Sequence, residues 1–136
     1  MNVPQPKIQW LTDAPLVLLL ENWRCDLPCG AILEVDAGFR YDGASVPRWA
    51  WTLAGHPFAQ DTLPAATAHD ALYAAQLYDR GFTDRIFKRH LDASGASYRK
   101  RKIYWAAVRV GGRRAWRRRT EADREFYREM IRAVAP

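Results

Sequence analysis

His69, Asp70 and Tyr73 fall within five residues of one another, and together they make the stretch of this sequence best equipped for proton chemistry. On a helix, His69 and Tyr73 are four apart and share a face. Ala68, Leu72 and Ala75 supply the adjacent apolar stripe. His69 and Tyr73 are therefore expected at the edge of a core, with Asp70 turned about 100° away. A half-buried imidazole titrates near neutrality and can act as a general base. A carboxylate beside it could orient the ring or hold a divalent metal, the one cofactor such a site suggests. The competing reading is a core histidine whose two nitrogens are spent on structural hydrogen bonds.

Two further segments could complete a site. In Asp42-Gly43-Ala44-Ser45-Val46-Pro47, Gly43 permits a tight turn and Ser45 falls at the start of a helix opened by Pro47. A serine there can be a nucleophile or an anion contact; equally, Asp42 and Ser45 can merely shape and cap the turn. The motif is not the Gly-x-Ser-x-Gly elbow of common serine hydrolases. Asp84 has Phe87 and Leu91 at helical spacing, so it faces the apolar side. A charge pointed inward usually has a partner. His69 or Tyr73 on a neighbouring antiparallel helix would serve, unless Asp84 only supports its own helix N-terminus. His56 and His90 are less informative: His56 precedes Pro57 in a loop, and His90 is expected on the outward side of its helix. Cys25 and Cys29 have no nearby histidine to complete a four-ligand zinc site and read as two reduced thiols.

Charge is unevenly spread. The net +6 comes from residues 99–119, which hold ten Lys or Arg and no Asp or Glu. Outside them, eleven basic residues face 15 acidic ones, a net of −4. On a helix Arg99, Lys102, Arg109 and Arg113 lie within an arc of about 80°, and Trp105 and Trp116 interleave with the charges. Such a stripe fits nucleic-acid phosphates and bases, an acidic protein partner, or a plain solvated face.

The elements that must position these residues are legible in outline. One domain of 136 residues, 49% hydrophobic and with six Trp, can bury a core. Residues 1–9 read as a loose arm. The apolar run 10–24 reads as a buried strand, with Pro15 near its start, and 31–41 as its antiparallel partner across a turn at 26–30. Helices are expected from about 46, over 64–77, over 84–93 after a Thr83 cap, over 97–110, and over 121–134. Strands first and helices after gives an α+β domain, a small antiparallel hairpin or sheet packed against three to four C-terminal helices. No apolar run approaches the roughly 18 residues needed for a membrane span.

Taken together, Tyr41-Asp-Gly-Ala-Ser-Val-Pro47, His69-Asp-x-Leu-Tyr73, Asp84-x-x-Phe87 and Tyr104-x-x-x-Val-Arg-x-x-Gly111 resemble a small domain family of unknown function found in tailed phages, prophages and some bacteria. The likeness covers about residues 30–112. It implies a phage or prophage gene and no particular activity. Locally, His69-Asp70-x-x-Tyr73 is similar to the His-Asp-x-Cys-Tyr helix of secreted phospholipases A2. That likeness implies His69 as base, Asp70 as metal ligand, and Tyr73 and Asp84 as supports. Leu72 replaces the cysteine, however, and the disulfide framework and calcium loop are missing.

Three functions are then open. The first is a virion or assembly component of the tail or neck, which would reside in the host cytoplasm or the virion. Its partner would be another phage protein or a second copy of the chain. The second is a hydrolase-like enzyme using His69, Asp84 and Ser45, with Asp42 and Tyr73 in the polar network. The third is nucleic-acid binding through residues 99–119. The first is favoured because the resembling family is phage-borne. All rest on Ser45, His69 and Asp84 meeting at one place.

Overall fold

A computed structural model describes residues 1–11, 16–43 and 45–136. Residues 12–15 of the expected first strand, including Pro15, and Ala44 of the turn motif lie outside the described residues.

The N-terminal half is one long hairpin bent in the middle. Its strands are β2 (Val17–Leu19), β3 (Trp23–Asp26), β4 (Ile32–Val35) and β5 (Arg40–Tyr41). The outer rungs pair Val17 with Tyr41, and the inner rungs pair Trp23 with Val35 and Asp26 with Ile32, all in a single antiparallel register. Between them, Leu19 N donates to Phe39 O and Gly38 N to Leu19 O. At the bend the Asn22 side chain accepts from Ala37 N at 2.9 Å and replaces a ladder bond. The bend turns the expected pair of long strands into parts of two three-stranded sheets. Alternation survives it: Leu33, Val35, Phe39 and Tyr41 are all buried.

Each sheet gains a third strand that sequence reasoning assigned otherwise. Residues 1–9 are not a loose arm. Ile8–Trp10 forms β1 beside β2, with Ile8 opposite Leu19. Asp26 N also donates to Asn2 O at 2.8 Å. At the other end the expected helix 121–134 stops early. It runs as α6 (Glu121–Arg128), and Ile131–Val134 becomes β6, paired antiparallel with β4. The unpaired edge of β4 offers hydrogen bonds that an isolated segment cannot show. Ile131 is fully buried there, and Arg132 bridges to Asp36 at 2.8 Å.

The helices between are α1 (Arg48–Ala54), α2 (Leu63–Ala75), α3 (Arg80–Ala93), α4 (Tyr98–Gly111) and the short α5 (Arg113–Arg117). Among the described residues six helical segments thus replace the expected three to four, within the expected α+β class. Ser97 caps α4 by accepting from Lys100 N. Helix α3 begins earlier than expected: Asp79, not Thr83, is its cap, so Gly81 lies inside it. Every residue of α2 is buried, its polar Thr67, His69 and Asp70 included, because α3, α6 and the sheets enclose it. Among the described residues no helix is long and apolar enough to cross a membrane.

Helix α4 meets the start of α1 so closely that a Cβ on Gly111 would overlap the Pro47 ring. Glycine inside an exposed helix normally costs stability relative to alanine. Here the sign reverses: Gly111→Ala should destabilise the fold by about 1–3 kcal/mol through overpacking. Urea unfolding of the two proteins, read by tryptophan fluorescence, checks it.

Candidate functional site

The three residues that had to meet do meet. His69 and Tyr73 project from α2, Asp84 from the second turn of α3, and Ser45 from the turn between β5 and α1. Ser45 Oγ lies 2.9 Å from His69 Nδ1. His69 Nε2 lies 2.7 Å from Asp84 Oδ1. Tyr73 O–H donates to the same oxygen at 2.8 Å. Arg109 of α4 donates to Asp84 Oδ2 at 2.7 Å, and Arg80 reaches that oxygen at 3.3 Å. The His69 ring sits between Tyr73 and Phe87, with centroids 4.3 and 4.4 Å away. Tyr73 can take this position because Gly112 bears no Cβ; one there would collide with its hydroxyl.

Asp70 is turned away from His69 along the helix, as its spacing places it, and it is buried. Because α2 is enclosed on all sides, a turn of about 100° from His69 leads to the β5–α1 turn. There Asp70 Oδ2 accepts from Gly43 N at 2.8 Å, and Asp70 Oδ1 makes a short hydrogen bond with Ser45 Oγ. Gly43 turns its amide inward with φ +73°. Ser45 is accordingly not the helix cap. Pro47 occupies that position, and the hydroxyl pairs with buried groups, where leaving them unpaired would cost most.

Burial pushes the Asp84 carboxyl up, but hydrogen bonds from His69, Tyr73 and Arg109 outweigh it and hold the carboxyl below its ordinary range. An ionised carboxylate only accepts, so His69 Nε2 carries a proton. Burial pushes Asp70 up to about 6, against the pull of the Ser45 hydrogen bond and the His69 charge, while the nearby Asp42 raises it further. When Asp70 is protonated, it donates to Ser45 Oγ, and Ser45 O–H donates to His69 Nδ1. When Asp70 is ionised, Ser45 donates to it.

Ser45 and Asp70 form the floor of a pocket of about 320 Å³ that opens to solvent. Tyr73 and Asp42 complete that floor, while His69 and Asp84 lie behind it. Ser45 is 4% exposed and His69 1%. The walls include Arg118 and Arg119, the end of the basic segment 99–119, together with Arg40 and Tyr127, which the sequence did not single out. Arg80 was missed as well, although its i,i+4 spacing to Asp84 was a usable signal.

The remaining candidates scatter. Arg99, Lys102 and Arg113 are exposed on α4 and α5, whereas Arg109, placed on the same stripe, turns inward to Asp84. For the metal expected at Asp70, no group of three or more His, Cys, Asp or Glu able to hold an ion occurs among the described residues. Both cysteines are free, Cys25 buried and Cys29 exposed. His90 is not outward. It is fully buried, and its Nε2 meets Asp26 O at 2.8 Å, a partner 64 residues away. Burial pushes its imidazole down to about 4.

Asp70 and His90 act oppositely on stability. Folded Asp70 holds its proton more tightly than the unfolded side chain, so its contribution is full below about 3.8 and is lost as pH rises to about 6. Folded His90 holds its proton more weakly, so stability rises between about 4 and 6.5. Asp70→Asn removes the first effect. Stability of that variant should climb more steeply from pH 4 to 6 than that of the unsubstituted protein, as denaturant midpoints across the range would report.

The family described as "protein of unknown function (DUF1353)" matches residues 17–108, more than half of the chain. An uncharacterized protein, y4jT, of Sinorhizobium fredii (strain NBRC 101917 / NGR234) is 32% identical over 98 residues, covering 71% of this chain. The chain spans only 29% of that relative's length. No solved structure matches at a significant level. The chain belongs to the DUF1353 family.

Proposed function

We propose that this member of the DUF1353 family is a small hydrolase that works through Ser45. The observation that carries the reading is the alignment at the pocket floor: Ser45 Oγ on His69 Nδ1 at 2.9 Å, and His69 Nε2 on Asp84 at 2.7 Å. This is a nucleophile, a base and an orienting carboxylate in hydrogen-bonded series. The ring nitrogens are used in the opposite sense to serine proteases, where Nε2 faces the serine.

The chemistry follows from which groups reach the pocket. Ser45 Oγ attacks the acyl carbon and passes its proton to His69 Nδ1, and Asp84 stabilises the resulting imidazolium. His69 lies behind the serine, so the leaving group takes its proton from Asp70, which does line the pocket. Water then gives a proton back to ionised Asp70 as it attacks the acyl-serine. Ser45 leaves and recovers its proton from His69. The enzyme returns to its starting state with one ester or amide bond cleaved by one water. Asp70, with its carboxyl raised to about 6, is suited to both donation and acceptance near neutral pH.

A serine-directed fluorophosphonate probe tests this. One label per chain, mapped to Ser45 by mass spectrometry and lost in Ser45→Ala, is the expected result. Asp70→Asn should still label but turn over a responsive ester roughly 10²–10⁴-fold more slowly. A folded protein that neither labels nor cleaves any of a broad ester panel would reduce the cluster to a buried structural network.

A second reading, an accessory subunit of a phage particle, is favoured by different residues. Trp10, Trp49 and Leu53 are about half exposed, at 54%, 49% and 52%. Large apolar side chains of this kind suit a protein interface. In that case Trp49→Glu with Leu53→Glu should abolish co-purification with particles while leaving the melting temperature within a few degrees.

A further inference from the structure

We infer that the compound acted on at Ser45 carries an oxyanion, a carboxylate or phosphate, held by Arg119 on the wall of the same pocket. Turnover of that compound rests on the hydrolase reading; its binding does not. Three guanidinium side chains, Arg40, Arg118 and Arg119, line the pocket, against the two carboxyls Asp42 and Asp70. Asp70 is already engaged by Gly43 N and Ser45 Oγ. The positive side chains are therefore in excess.

Arg119 is the best placed of the three. Its guanidinium carbon lies over the Tyr127 ring, 5.1 Å from the centroid. Its Nε is buried and has no hydrogen-bond acceptor among the described residues. A buried donor without an acceptor is costly, and the cost is recovered when an acceptor arrives. The planar guanidinium fork, which lines the pocket, suits a carboxylate or phosphate. Arg40 and Arg118 are exposed at the same pocket and can attract the anion from solution. Arg118, Arg119 and Tyr127 lie beyond residues 17–108, so the wall that would recognise the anion lies outside the part that matches the family.

The test uses the full-length Ser45→Ala protein, so that binding is read without turnover. Benzoate, phenyl phosphate and neutral methyl benzoate are titrated by ligand-observed NMR. The anions should bind at least about tenfold more tightly than the neutral ester, and Arg119→Met should remove that preference. Benzoate against phenyl phosphate tells which oxyanion is preferred. Arg40→Gln, at an exposed position, should weaken the anions by a smaller factor and guards against misfolding of the Arg119 variant. Equal binding of neutral and anionic probes, or an anion preference untouched in Arg119→Met, overturns the inference. If Arg119-dependent binding is found but Ser45 never labels, the anion site stands and the hydrolase reading falls. Labelling without anion preference gives the reverse.

Discussion

The carboxylate of Asp84 has no contact with water, yet it is ionised, and the rest of the helical half is arranged around that fact. An unpaired charge in such a place would be prohibitive. Four side chains prevent this: His69 and Tyr73 from α2, Arg80 from α3 itself, and Arg109 from α4. Three helices are thereby held at fixed rotation as well as fixed distance, because hydrogen bonds are directional where apolar packing is not. Burying such a group is seldom the most stabilising choice. Its use is to specify, and what it specifies is the orientation of the His69 ring and, through it, the position of Ser45.

The same arrangement gives the pocket its asymmetry. Behind Ser45 the network is dry and rigid, packed between Tyr73 and Phe87. In front of it the surroundings are polar and open, with a carboxyl that changes charge near neutral pH and several arginines. The serine hydroxyl is the connection between the two zones. Its oxygen is in hydrogen-bond contact with Asp70 in front and with His69 behind.

Much of this was legible in the sequence, and the failures have a common cause. Helical spacing correctly put His69, Tyr73 and Asp84 on inward faces, because each neighbourhood contains its own apolar stripe. His90 was placed outward by the same arithmetic, and Asp70 about 100° from His69 with nothing assigned to cover it. Both turned out buried, because what covers them comes from elsewhere in the chain: the β5–α1 turn over Asp70, and the β3–β4 turn over His90. The strand at 131–134 was hidden for a similar reason. Its edge partner, β4, lies about a hundred residues earlier, and only the alternation after Met130 hinted at it. Arg109 illustrates the limit of reading charge as surface. It sits in the most basic part of the sequence, yet it is one of the anchors of the interior.

The bent hairpin has a mechanical corollary. Because its outer and inner halves keep one register, the two sheets cannot slip independently, and the whole ribbon is indexed from the turn at its tip. Tyr41 occupies the last rung, and Ser45 follows four positions later. A single-residue miscount anywhere between that tip and Tyr41 would invert the inward side chains of β4 and β5. It would also shift Ser45 by one place along the chain. The hairpin works as a ruler, and the hydroxyl is set at its graduated end.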